Sequence, residues 1–185
     1  MKIVIIYNKQ INQIMTGIVI LLTAKKVKLN RPNTWISKLI ELIQGKYTHS
    51  AIIYKQCDGY YVRDVDGKGV HRTKLCDYIL KYKDRIKDNF YRVKNIQYKY
   101  PIKLNDYCIK DNSKYDFKNL ILFQLLLSIT GKYFGKKTKY EHTCSEDTAR
   151  CINQYVGFEL FENPDSIYPT YFNECGLLEK FEFTY

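Results

Sequence analysis

Apolar and polar positions along this chain sort into short runs and helical stripes. Lys2 to Tyr7 and Ile18 to Thr23 are compact apolar runs that read as short buried strands. A basic loop, Lys25 to Arg31, ends at Pro32. Trp35, Ile36, Leu39, Ile40 and Ile43 then recur at helical spacing, with Asn33 or Thr34 as the start and Gly45 as the stop. Thr48 to Tyr54 reads as a strand, and Tyr60 to Val65 follows it across a turn at Cys57, Asp58 and Gly59. Asp66 to Gly69 makes another turn, leading to a short strand near Val70 to Thr73. Leu75 to Tyr82 suggests a short helix, Phe90 to Ile96 a strand, and Tyr115-Asp116 the opening of an apolar helix through Ile129. In YEHTCSEDTARCINQYV, Thr148, Cys151 or Ile152, and Tyr155 or Val156 fall on one side of an amphipathic helix. Asn163-Pro164 ends that region, Asp165 or Ser166 is placed to cap a short helix led by Pro169, and Leu177 to Phe183 closes the chain as a strand. The stretch from Gln97 to Ser113 fits no period. This order predicts an α+β fold, an antiparallel sheet packed against helices, in one domain spanning 1–185.

Composition adjusts this picture at few points. Four prolines and nine glycines in 185 residues leave little room for long linkers. The net charge of +11 favours an anionic surface or polymer as partner, although abundant surface lysine gives the same number without any partner. Six cysteines are scattered without CxxC pairs, so free thiols in a reducing compartment are expected rather than a zinc site or a disulfide framework. The apolar run in MKIVIIYNKQ is too short for a signal-peptide core, which with the thiols points to a cytoplasmic setting, or to a virion-borne or host-delivered protein. Leu120 to Ile129, the longest apolar stretch, is about half a membrane span and reads as a buried helix, so no integral membrane segment is expected.

The chemistry concentrates at Cys144. Thr143 is a natural N-cap, and Glu146 stands at the reciprocal capping-box position. Cys144 therefore falls on the first helical turn, where unpaired N–H groups and the macrodipole favour a thiolate and can hold an oxyanion. A cysteine nucleophile needs a base, and the base needs an orienting partner. Of His49, His71 and His142, His142 lies too close in sequence to point at the same place. His49 begins the apolar strand YTHSAIIY and by alternation shares a face with Tyr47, Ala51 and Ile53. A lone strand histidine is ordinarily solvated or internally bonded; a nucleophile elsewhere in the chain makes it a candidate base. Asp64 or Asp66 would orient it. If Asp58-Gly59 forms a two-residue turn, Asp64 lies opposite Ile53, out of line with His49, and Asp66 is nearer; a longer loop or a bulge brings Asp64 alongside. Cys151 falls on the packed side of its helix as a small buried thiol. No P-loop, GxGxxG, HExxH or EF-hand pattern occurs, so no cofactor or metal is expected.

These residues together resemble the circularly permuted papain-like cysteine hydrolases of the NlpC type, which include bacterial and viral hydrolases and the lecithin–retinol acyltransferase branch. TGIVILLT looks like their first strand, WISKLIELIQGKYTHSAIIY like the helix, turn and His strand, and VRDVDGKGV like the acidic strand. YDFKNLI looks like the helix before the nucleophile, TCSEDTA like the Cys-Ser-Glu helix start, and SIYPTYF like a downstream Ser-x-x-Pro segment. The likeness runs from about residue 16 to the end, with little similarity between about 76 and 113. It implies a permuted papain-like fold in which Cys144 is the nucleophile, His49 the general base and acid, and Asp64 the orienting group; the family more often has Glu or another polar residue at that last position. It implies acyl transfer on a peptide, a peptidoglycan stem or a lipid. The rival from another class is a basic nucleic-acid- or anionic-surface-binding module, for which Lys81-Tyr82-Lys83 and Tyr98-Lys99-Tyr100 interleave cations with aromatics. A catalytically silent virion or structural member of the same family is the third reading.

Overall fold

The computed structural model describes residues 17–26, 32–86, 89–94, 114–116, 118–120, 125–132 and 141–182. The expected strand at Lys2 to Tyr7, the Gln97 to Ser113 stretch and the basic turn around Gly135 lie outside them. Six strands form one sheet: β1 (Val19–Thr23), β2 (Tyr47–Gln56), β3 (Gly59–Asp66), β4 (Gly69–Lys74), β5 (Phe90–Val93) and, after a short parallel pair formed by β6 (Lys114–Tyr115) and β7 (Glu141–His142), β8 (Leu178–Lys180). The order is β4-β3-β2-β1-β5-β8, and every neighbouring pair is antiparallel. The helices are α1 (Pro32–Gln44), α2 (Leu75–Ile86), α3 (Leu125–Thr130), α4 (Cys144–Val156) and α5 (Tyr171–Glu174). The α+β class with an antiparallel sheet is thus what the chain forms.

Alternation in the strands gives the sheet two apolar faces. Val19, Leu21, Ile52 and Tyr54 pack with Ala149, Cys151, Ile152 and Tyr155 of α4, and with Phe161 and Phe172. Ile18, Ile20, Leu22, Ala51 and Ile53 pack on the other face with Leu75, Tyr78, Ile79 and Ile86 of α2. Gly17 (φ 81°) enters β1 at a place where a Cβ would lie 2.4 Å from the Tyr155 ring, so only glycine lets α4 sit this close. Among the described residues, no helix is long and apolar enough to cross a membrane.

Several expectations are corrected. The register shifts between Leu22 and Thr23, which pair with His49 and Tyr47, making Thr48 the extra residue of a bulge. One extra residue inverts alternation, so Tyr47 joins the α4 face while Ala51 and Ile53 belong to the α2 face; His49 does not share a face with Tyr47. The β2–β3 turn is Cys57-Asp58 rather than Asp58-Gly59, because Gln56 pairs with Gly59. Tyr115 lies in a short strand, pairing with His142, and the helical turn that follows opens at Asp116, whose carboxylate accepts the Asn119 N–H at 2.7 Å and whose carbonyl accepts the Leu120 N–H at 3.1 Å. The Leu120 to Ile129 stretch is not a buried helix throughout: Leu120 is buried, but Leu126 and Ile129 on α3 are exposed, because α3 lies against α1 at the surface. Asp165 and Ser166 sit in a 3-10 turn, Pro164–Ser166, and the next helix begins after Thr170 without a side-chain cap. The α1 stripe is inward only in part: Ile40 faces inward with Thr34, Ser37 and Gln44, while Trp35, Ile36 and Leu39 are exposed.

Candidate functional site

The site forms where α4 begins. Thr143, in extended conformation, accepts the Glu146 N–H on its side chain, and the Glu146 carboxylate reaches back to the Thr143 N–H, completing the capping box. The first turn is also clamped from outside. Ser145 donates to the Ile167 carbonyl at 2.6 Å, and Thr148 meets Ser50 of β2 at 3.1 Å. Arg63 of β3 grips Asp147 with two 2.8 Å bonds, and both side chains are essentially sealed from solvent. Such a fork fixes the helix axially and in rotation against the sheet. Glu146 also takes His142 at 2.9 Å and Arg150 at 3.0 Å, and Arg150 continues to Asp165. His142 is thereby turned into this network and away from catalytic use.

The clamped turn sets the Cys144 thiol beside His49, near enough for each to shift the other's protonation. His49 Nε2 is bonded to Asp64 Oδ1, which leaves Nδ1 for the sulfur. Asp64 pairs in register with Ala51, so it meets His49 diagonally across the ladder, within the reach of a ring and a carboxylate. Asp66 does not take this role; it bonds His71 at 2.8 Å and the Lys68 N–H at 2.9 Å. Tyr78 of α2 stands close to the Asp64 carboxylate, adding a phenol dipole to its surroundings without ideal bond geometry.

A further contact explains how the sulfur is held. The β2–β3 ladder ends at the Ala51–Asp64 pair. Alternation points the Ser50 N–H toward the β3 side, past that end, where it favours the charged form of the Cys144 thiol. Tyr115 completes the ring: β6 pairs it with His142, two residues before Cys144, and its buried phenol feels the Cys144 thiolate. Nothing local in the sequence marks this phenol among eighteen tyrosines; only the β6–β7 pairing reveals it.

The electrostatics follow. Burial works against a charged Cys144, but His49 and the Ser50 amide outweigh it and lower the thiol below its usual range. Burial likewise opposes a charged His49; the Asp64 carboxylate and the Cys144 thiolate outweigh it and hold the imidazole well above its usual value. Asp64, buried, is kept low by His49. Burial, reinforced by the thiolate, pushes Tyr115 well up, so its phenol stays protonated and donates. The arrangement favours a thiolate–imidazolium pair, with Asp64 fixing the ring.

Cys144 is only 3% exposed and does not itself line the neighbouring cleft of about 270 Å³, which His49 and Tyr115 do line. Ile36, Ile40 and Leu120 give the cleft apolar surface, while Lys25, Lys68 and Arg85 give it positive charge. Tyr82 also lines it, at the kink in α2, with Lys81 4.8 Å over its ring and Tyr78 packed at 4.6 Å. Of the two Lys/Tyr runs, Tyr98-Lys99-Tyr100 lies outside the described residues. Cys151 is fully buried, and all five cysteines of the described residues are free. No family model matches the chain, and no curated protein matches it significantly.

Proposed function

We propose that this chain is a cysteine hydrolase or acyltransferase of the permuted papain-like kind it resembles, cleaving an amide or ester bond through a thioester on Cys144. The observation that carries this reading is the line of contacts from Asp64 through His49 to Cys144 at a capped helix start, beside an open cleft. The Cys144 thiolate attacks the substrate carbonyl, forming a C–S bond and an oxyanion. The Cys144 and Ser145 N–H groups at the start of α4 and the Tyr115 hydroxyl are the donors proposed for that oxygen. The His49 imidazolium protonates the leaving nitrogen or oxygen as its bond to carbon breaks. Water or another hydroxyl or amine then attacks the thioester, His49 takes its proton, and the thiolate is released. Asp64 keeps the ring oriented and its positive charge compensated throughout.

The substrate candidates are a peptide, a peptidoglycan stem or a lipid acyl compound. A thiol-directed acyl or epoxide probe applied to wild type, Cys144→Ala and Cys151→Ala tests the reading. Labelling is expected to vanish in Cys144→Ala and persist in Cys151→Ala; the reverse pattern overturns it. The rival binding module predicts tight, steeply salt-dependent nucleic-acid binding with no thiol reactivity.

A further inference from the structure

We propose that Lys25 and Arg85 form an anion-binding subsite beside Cys144, so that the acyl substrate carries an acidic group, a carboxylate or a phosphate, near the bond that is cut. This rests on the hydrolase reading and narrows its substrate class.

Both cations line the cleft that His49 and Tyr115 also line. Arg85 is held in place on two rigid elements: its Nε donates to the Thr23 carbonyl at 2.8 Å, and the Thr23 hydroxyl donates to the Arg85 carbonyl at 3.2 Å. One edge of the guanidinium is thereby used for anchoring, and its plane lies 5.7 Å from the Tyr82 ring. Among the described residues no side chain takes the terminal nitrogens, whose fork suits carboxylate and phosphate oxygens. Lys25 is close enough for the two like charges to press on each other: burial lowers its ammonium below the usual range and Arg85 lowers it further, with Asp66 and Asp64 opposing them only in part.

Among the described residues, no carboxylate comes within ion-pair distance of either cation. The nearest acidic groups are already committed, Asp64 to His49 and Asp66 to His71. Asp66 also lines the cleft but is bonded to His71, so the lining keeps an excess of positive charge, and an anion there gains from both cations in a medium less screening than bulk water. The opposite lining, Ile36, Ile40 and Leu120, suits an apolar portion of the same substrate. Surface lysine abundance does not account for this pair, because Arg85 is packed and anchored and the cleft places both cations beside the nucleophile.

The test compares alkylation of Cys144 by iodoacetate and by uncharged iodoacetamide, reading the ratio of the two rates by peptide mass. The His49 imidazolium alone attracts iodoacetate, so the variants decide. Lys25→Gln and Arg85→Gln are each expected to lower the iodoacetate/iodoacetamide ratio roughly fivefold, with Arg85→Lys keeping most of it and added salt lowering the wild-type ratio toward that of the variants. Lys25→Gln, whose side chain anchors no backbone, keeps the test decisive should Arg85→Gln not fold. Inorganic phosphate and acetate are then compared as competitors: whichever slows iodoacetate labelling of wild type but not of Lys25→Gln identifies the acidic group. Rapid iodoacetamide labelling with the same ratio in wild type and variants, or slowing by neither competitor, overturns the subsite and leaves the hydrolase reading standing. No labelling of Cys144 by either reagent overturns both.

Discussion

Helices α4 and α1 are each thirteen residues long, and each departs from the usual placement of polar and apolar side chains in the opposite direction. The start of α4 buries Ser145, Glu146, Asp147 and Thr148, all at 2% exposure or less. The outer face of α1 exposes Trp35 at 51% and Leu42 at 81%. Burying polar groups is costly unless each has a partner, and in α4 each does: Ile167, Thr143 and His142, Arg63, and Ser50. That network leaves the Cys144 turn little freedom. The inward face of α1, by contrast, is built largely from Thr34, Ser37 and Gln44, and its apolar side chains stay near α3, itself exposing Leu126 and Ile129. Constraint is concentrated at the nucleophile, and α1 contributes to the cleft only through Ile36, Ser37 and Ile40.

The comparison breaks most readily at Asp147. Asp147→Ala leaves the sealed Arg63 guanidinium without its partner and is expected to cost about 3–5 kcal/mol in denaturant unfolding. Tyr115→Phe keeps the fold and removes one donor available to the oxyanion; acylation by an activated ester is expected to slow by about a hundredfold. Thr143→Ala removes the cap at a cost of about 1 kcal/mol, whereas Thr143→Ser retains the bond and most of the stability. On α1, Leu42→Gln is expected to change stability by less than about 0.5 kcal/mol, since little is buried there to lose. A loss at Leu42 comparable with that at Asp147 would show that the exposed stripe is covered by something in solution.

What the sequence disclosed follows the range of the interactions. The Thr143/Glu146 capping box is confined to one helical turn, so spacing alone locates it. Arg63 and Asp147 are 84 positions apart, and neither residue type announces a buried pair. The partner of His49 hinged on where a hairpin turns: moving the turn to Cys57-Asp58 brings Asp64 from opposite Ile53 to opposite Ala51, and the diagonal to His49 closes without the longer loop or bulge in that hairpin that spacing required. The Thr48 bulge, on the other edge of β2, left no mark in the alternation. For α1, periodicity identified an apolar stripe but not what would cover it: Ile40 is buried, while Trp35, Ile36 and Leu39 face out. Tyr115 arrives through a two-residue parallel pairing too short to carry any pattern.

The pairing of Cys144 with His49 is tested most directly by the pH dependence of Cys144 alkylation with iodoacetamide, in wild type and in His49→Ala. His49 lowers the thiol, so wild-type reactivity is expected to be already high at pH values well below about 8.5, where an ordinary cysteine is mostly protonated. In His49→Ala the rise is expected to move up to or beyond the ordinary thiol range, because burial then acts without the opposing imidazolium. Identical profiles in the two proteins, both rising only at alkaline pH, would contradict the account.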